Sequence, residues 1–502
     1  MARVLLVRPP WDVFLGFKSK QIPLGLCYIA SALRDAGHDC LVLDGDLGVP
    51  VYPPSYKRVG YGMLVDYDQY LKALNEDHVA WKKVKSIIKI FKPDIVGITM
   101  LTGYYGAALR VAKLVKDTDP EIPVVVGGQH PTILPEETIQ ENIIDVVVRG
   151  EGEYTMLDLV NTIDKGKDLD GVHGVTYKVK GITHHNPSRP LIKNLDLISF
   201  PARDLIFDNE KYSPDSFGFI ITSRGCPFRC IYCSSAKIWG RTVRYRSPEN
   251  VIAEIKEVKQ KFGTNLFRFN DDSLTLNKDR AFKICELIVK EKLDIEWYCD
   301  TRVDLLSRDL LTQMKKAGCI RINLGIESGD PAILKFIKKG ITLEQARLAL
   351  RMAREAGIPT LAYFMIGFPG EGTQEIRNTI TFVKDTKPDS VCWSIVTPYP
   401  GTELYEIGRE QGLLPKTLDW SAFFHQSPEM AMTDRLSKEE FLGILKEIHH
   451  VTDELYADYS ITKDYLSNPS LLYYRMQLYL RSPRLMFRDF KYVIRAIYRR
   501  FK

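Results

Sequence analysis

The chain has 502 residues, 45% of them hydrophobic and 26% charged, a profile that excludes a disordered or fibrous protein and asks for two or three domains. The formal charge of +6 is uneven. Residues 471–502 carry nine Lys/Arg and one acid, Asp489, for +8; the remaining −2 excludes a nucleic-acid binder that works through its whole body.

The N-terminus, "MARVLLVRPPWD", is too short and too soon broken by Pro9-Pro10 for a signal peptide, so it is expected to be a first strand. After "RVLLVRP" come a helix over "GLCYIASALRDAG" and the strand "CLVLDGD". A polar, tyrosine-rich excursion fills about 47–75. A helix to Phe91, "DIVGITM", a helix over "YYGAALRVAKLVKDT", "PVVVGG", a helix near "PEETIQEN" and "DVVVRG" follow. Short apolar strands alternating with amphipathic helices predict a doubly wound, Rossmann-like parallel sheet over 1–165, with ligands at the strand carboxyl ends. Those ends read "RPPWD", "TMLTG", "GGQHPT" and "GEGEYT".

Residues 166–210 are expected to form a hairpin, "GVTYKVKGITHHNPSRP", and an extended linker. A second α/β series spans 211–425, with strands "FGFIITSRG", "LFRFNDD", "IEWYCDTR", "RINLGIES", "TLAYFMIGFPG" and "VCWSIVTPYPG". Six βα units predict a partial barrel, whose chemistry sits at the strand C-termini. Residues 426–502 are expected to be helical. No run reaches the roughly 20 apolar residues that a spanning helix needs.

Of nine cysteines, six are scattered: Cys27, Cys40, Cys285, Cys299, Cys319 and Cys392. Scatter, an odd total and the missing signal argue for a reducing cytoplasm over a disulfide framework. The other three, Cys226, Cys230 and Cys233, stand at C-x3-C-x2-C spacing in "TSRGCPFRCIYCSSA", at the end of the first barrel strand. Three thiolates can hold three corners of a cubane iron–sulfur cluster and leave the fourth iron open. The alternative is zinc, which would need a fourth ligand. No Cys or His lies in the next fifty residues, and Cys285 and Cys299 fall in a predicted helix and strand.

This triplet after the first strand of a six-unit barrel resembles the radical S-adenosylmethionine (SAM) superfamily. The resemblance implies that SAM's amino and carboxylate groups close the cluster and that an electron from it releases a 5′-deoxyadenosyl radical. It also implies Tyr232 near the adenine, Asp271 and Asp272 of "FNDDS" toward the SAM amino group, and Glu327 of "GIESG" at the ribose. Arg302 of "DTRVD" is a plausible partner for the SAM carboxylate. "IGFPGE" resembles the adenine-packing motif. A charged residue at a strand end is by itself more often a solvated or ion-paired rim residue.

The first domain lacks a phosphate-cradling turn, because "RPPWD" has two prolines where backbone donors are needed. Placed before such a barrel, "PLGLCYIASALRDAGH", "PDIVGITM", "GGQHPT" and "VVVRGEGE" resemble the cobalamin-binding domain of the cobalamin-dependent radical SAM family, over about residues 1–420. That family includes methyltransferases and the anaerobic magnesium-protoporphyrin monomethyl ester cyclase. The resemblance places cobalamin against Thr99, Gly127, Gly128, Gly150 and Glu151, where small residues admit a bulky ligand. The D-x-H-x-x-G motif that supplies a cobalt ligand elsewhere is absent. His130 is therefore read as a structural or corrin-contacting residue, not as the ligand.

The implied function is C-methylation. One SAM methylates cobalamin, and a second yields the radical that takes hydrogen from an unactivated carbon, which then receives the methyl group. The alternative is an oxidative cyclase or another radical oxidoreductase on a porphyrin-like or lipid substrate. Arg224, Arg244 and Arg246 would serve either an anionic cofactor or internal ion pairs. The implied partners are a small-molecule substrate and an electron donor such as a flavodoxin or ferredoxin, with no nucleic acid. The segment 484–502, "RLMFRDFKYVIRAIYRRFK", separates apolar from basic residues at helical spacing. It is either a packed helix or a peripheral membrane contact of a cytoplasmic protein.

Overall fold

The computed structural model describes residues 1–16, 21–51, 58–59, 62–63, 67–425 and 427–456. The basic segment 484–502 lies outside them. In chain order the strands are β1 (Arg3–Arg8), β2 (Asp39–Asp44), β3 (Arg58–Val59), β4 (Gly62–Met63), β5 (Ile95–Thr99), β6 (Val124–Gly127), β7 (Val146–Val148), β8 (Val175–Val179) and β9 (Ile182–His185). Then come β10 (Phe219–Ile220), β11 (Ser223–Arg224), β12 (Arg244–Tyr245), β13 (Leu266–Phe269), β14 (Glu296–Thr301), β15 (Cys319–Glu327), β16 (Thr360–Ile366) and β17 (Ser390–Ile395).

The first sheet runs β2-β1-β5-β6-β7-β8-β9. Its first five strands are parallel and its last two antiparallel. The hairpin that the sequence suggested as a connector therefore extends the sheet. Both faces of the parallel part are buried by helices, as the unbroken apolar runs require. Leu5, Val7, Val96 and Val126 pack in one layer with Trp81 and Val84. Leu6, Val125 and Val148 pack in the other with Cys27, Leu33 and Leu159. The chain leaves β1 for β2 on one side and returns for β5 on the other, so the sheet has its switch point between β1 and β5.

The second sheet runs β10-β13-β14-β15-β16-β17, all parallel, and β11 and β12 form a separate antiparallel ribbon. This is the partial barrel expected from six βα units. Helix boundaries follow local chemistry. Pro248–Phe262 starts on a Ser247 cap that accepts the Asn250 N–H and ends at Gly263 in the left-handed region. Leu343–Glu355 starts with a full capping box between Thr342 and Gln345. No described helix is long and apolar enough to cross a membrane.

Candidate active site

Cys226, Cys230 and Cys233 lie between β11 and the short helix Ser235–Trp239. The turn into this loop needs Gly225, with φ +105°, because a Cβ there would fall 2.6 Å from the Thr242 carbonyl oxygen. Ile231 is the anchor. It is buried, its N–H donates to the Ile337 carbonyl at 3.1 Å, and its carbonyl accepts from the Leu404 N–H at 2.9 Å. Winding the loop around Ile231 turns the triplet outward. Cys226 and Cys230 are half-buried and Cys233 is exposed, whereas five of the other six cysteines are buried. Among the described residues no three His, Cys, Asp or Glu side chains converge as the ligands of one ion would. A cubane takes its thiolates on separate irons, so the loop suits a cluster better than a single zinc ion.

Two residues expected near SAM, Asp271 and Arg302, hold this loop in shape. Asp271 is buried, and its Oδ1 accepts the N–H groups of Thr222 (2.6 Å) and Ser223 (3.1 Å). Its Oδ2 accepts their hydroxyls. With both oxygens committed, Asp271 organises the approach to the cysteines. Arg302 is likewise engaged: Nε and Nη2 donate to Asp304 at 3.0 and 3.1 Å, and Nη1 donates to the Lys339 carbonyl at 3.0 Å. Its guanidinium lies 3.6 Å from the ring centroid of Phe228, inside the cysteine loop. Asp272 is exposed and accepts the Ser235 hydroxyl.

Tyr232 and Glu327 do come together, through a residue that the motifs did not reveal. The bridge is Lys339, whose Nζ is 2.7 Å from Glu327 Oε1 and 3.3 Å from the Tyr232 hydroxyl. Glu327 ends β15 with φ +75°, a strained conformation for a non-glycine residue, beside a register shift at Gly325/Glu327. A Cβ at Gly325 would collide with Glu327 Oε1 at 2.6 Å and Lys339 Nζ at 2.9 Å. Phe368 of "GFPGE" is 6.2 Å from the Tyr232 ring. Its loop is folded by Glu371, whose Oε2 accepts the Gly367 and Phe368 N–H groups at 2.6 and 3.1 Å. Burial pushes the Glu371 carboxyl up to about 8.

At the switch point of the first sheet lies a cleft with about 870 Å³ of empty space, solvent included. Thr99, Gly127, Gly128, Gly150 and Glu151 all line it, beside Leu6, Tyr28 and Ile29. Gly128 has φ +114°, and a Cβ there would sit 3.0 Å from the Met100 carbonyl. The glycine lip and apolar floor suit a broad, largely apolar ligand such as a corrin. The far wall is Arg224 and Trp239, which flank the cysteine loop. Arg224 donates to Glu151 at 2.7 Å and Glu153 at 2.5 Å, with its guanidinium about midway between the Tyr28 and Trp239 rings, 5.4 and 5.0 Å away. Arg244 also holds Glu151, at 2.8 Å. Gln129 reaches Ser234, next to Cys233.

The third arginine, Arg246, donates to the buried Glu254, which also takes Arg203. All three therefore serve internal ion pairs. His130 is fully buried outside the cleft lining. It lies edge-on to Tyr105 and Trp420, with Nδ1 3.4 Å from the Thr102 hydroxyl. Burial lowers it to about 4, so it is neutral. The sequence leaves His130 as either a structural or a corrin-contacting residue, and it is absent from the cleft lining.

Residues 220–383 match the family model for the radical SAM superfamily, and 61–160 match that for the B12 binding domain. An uncharacterized methyltransferase of Pyrococcus horikoshii is 38% identical over 89% of this chain and 91% of its own. The anaerobic magnesium-protoporphyrin IX monomethyl ester cyclase of Rubrivivax gelatinosus is 31% identical over 81% of this chain and 74% of its own. The structure of TsrM, a radical SAM methyltransferase from Kitasatospora setae with cobalamin and a 4Fe-4S cluster bound, superposes with a TM-score of 0.65. At 20% identity over 83% of this chain and 80% of that one, it shows a shared fold. The chain belongs to the radical SAM family that carries a B12-binding domain, and it is a radical SAM enzyme whose cofactors are a 4Fe-4S cluster, SAM and cobalamin.

Proposed function

We propose that this enzyme methylates an unactivated carbon of a small-molecule substrate. The observation that carries the reading is the shared wall: Arg224 and Trp239 line the cleft of the first domain and flank the three cysteines in the sequence. The bound cofactors supply a 5′-deoxyadenosyl radical for hydrogen removal and a methyl group for the resulting carbon radical. The chain's part is to hold them close and shield them from water.

On this reading residues 1–165 form the cobalamin-binding unit, 166–210 the connection and 211–425 the radical-generating barrel, followed by the C-terminal region 426–502. Cys226, Cys230 and Cys233 hold three irons. Tyr232, Glu327, Lys339 and Phe368 receive SAM. Thr99, Gly127, Gly128 and Gly150 border the corrin. Among the described residues that line the cleft there is no imidazole or thiol, so a corrin held there would be held by backbone, apolar side chains and the Arg224–Glu151 pair. An electron donor such as a flavodoxin or ferredoxin would reduce the cluster. The basic segment 484–502 would add contact with an anionic membrane surface.

The test uses the anaerobically reconstituted holoenzyme, a chemical reductant and methyl-deuterated SAM. Label on the cobalamin together with 5′-deoxyadenosine supports the reading. Similarity to the cyclase gives the oxidative route as the second reading, and deoxyadenosine release without any labelled cobalamin would favour it.

A further inference from the structure

The two faces of the barrel sheet are unequal in an unexpected sense. Along β13 to β17 the helix-packed positions are buried and apolar, for example Phe267, Trp297, Ile322, Phe364 and Trp393. The positions that alternate with them face the lumen and are only half-buried, as at Arg268, Tyr298, Asp300, Arg321 and Tyr363. A barrel filled by its own side chains would bury this inner face more completely. Arg268 and Asp300 each keep 22% of their side-chain surface exposed although both lie on interior strands. The lumen therefore has room.

Its chemistry is cationic. Register aligns Arg268 with Tyr298, Tyr298 with Arg321, and Asp300 with Asn323. Arg268 is neutralised by Asp300 at 3.0 Å, which also accepts from Asn323 at 2.8 Å. Arg321 lies over the Tyr298 ring at 4.4 Å and has no carboxylate within 4.0 Å among the described residues. Two donors here are buried with no hydrogen-bond partner, Arg268 Nε and Arg321 Nε. Arg321 is half-buried with its terminal nitrogens still open, so a guanidinium without a counter-charge is presented at the lumen wall where an anion can meet it.

We propose that Arg321 and its neighbours form an oxyanion subsite in the lumen and that the substrate is an acidic small molecule, bound by a carboxylate or phosphate. This rests on the methyltransferase reading and names its substrate class. Arg321 lies six residues before Glu327 on β15, about 20 Å along the strand. The acidic group is thus at the far end of an extended substrate from the reacting carbon. A wholly apolar lipid would leave Arg321 uncompensated.

The full-length protein, loaded with cluster and cobalamin, is dialysed against radiolabelled inorganic pyrophosphate and, separately, radiolabelled succinate. At least one should bind, about tenfold more weakly to R321Q, with R321K, which keeps the charge and loses the planar fork and the stacking, falling between the two. The exposed R377Q serves as control and should match the wild type. Preference for pyrophosphate assigns a phosphate and preference for succinate a carboxylate. Failure of both anions to bind the folded wild type, or equal binding by R321Q with unchanged melting, overturns the proposal. Deuterium transfer to cobalamin is measured on the same samples. Anion binding without transfer would sink the methylation reading alone, and transfer without anion binding would sink the subsite alone.

Discussion

Arg224 and Glu151 meet at 2.7 Å, and both side chains are almost fully buried. One belongs to the strand leading into the cysteine loop, the other to the lip of the cobalamin cleft. Glu151 is shared with Arg244, and Arg224 with Glu153, so the two units are joined by a buried network of two cations and two anions.

Glu151→Gln keeps the shape and removes one charge. Breaking a buried pair leaves the remaining cations undercompensated, so a loss of about 3 kcal/mol is expected in urea unfolding. Cobalamin retention through gel filtration should fall with it. Arg34→Gln, at an ion pair with both side chains about half exposed, should cost no more than about 0.5 kcal/mol. Similar losses at the two sites would show that the network does not join the units.

Lys339→Met removes the cation that bridges Glu327 and Tyr232. SAM binding by equilibrium dialysis should weaken about tenfold, with the cluster's visible absorption unchanged. An unchanged SAM affinity would remove Lys339 from the SAM site.

Two buried groups set opposite pH limits. His130 is depressed from 6.5 to about 4, so the unfolded chain binds its proton first and stability declines as pH falls from about 6.5 toward 4. Glu371 is raised from 4.5 to about 8, so the unfolded chain loses its proton first and stability declines as pH rises from about 4.5 toward 8. His130→Phe should flatten the acid limb and Glu371→Gln the alkaline one, each by on the order of 3 kcal/mol. Urea midpoints at pH 4.5, 6.5 and 8 would read this. His130→Phe should also leave the spectrum of reduced cobalamin unchanged, since no ligand is lost.

The order of strands, the cysteine loop and the cleft-lining glycines were legible in the sequence, because spacing and backbone freedom are local properties. The internal partners of Asp271 and Arg302 were not. Their carboxylate and guanidinium are taken by Thr222, Ser223, Asp304 and a carbonyl, partners fixed only when strands assemble. Lys339 was missed because it follows the helix Pro331–Phe336 rather than a strand. The lumen arginines were missed because an Arg inside an alternating strand looks like a solvent-facing one. Only barrel closure tells the inner face from the outer.

Cys230→Ala should abolish 5′-deoxyadenosine formation, measured by chromatography, while cobalamin binding persists, because the cleft draws no side chain from that position. Cys299→Ala, at a buried helix-facing position, should lower stability and leave radical formation intact.

Following the methyl group separates carbon methylation from oxidation. The reduced holoenzyme, turned over with methyl-deuterated SAM and an extract of acidic small molecules, should yield a product that carries the intact deuterated methyl on carbon. It should form one S-adenosylhomocysteine and one 5′-deoxyadenosine per product. A product formed with deoxyadenosine but without the label would overturn the methyltransferase assignment.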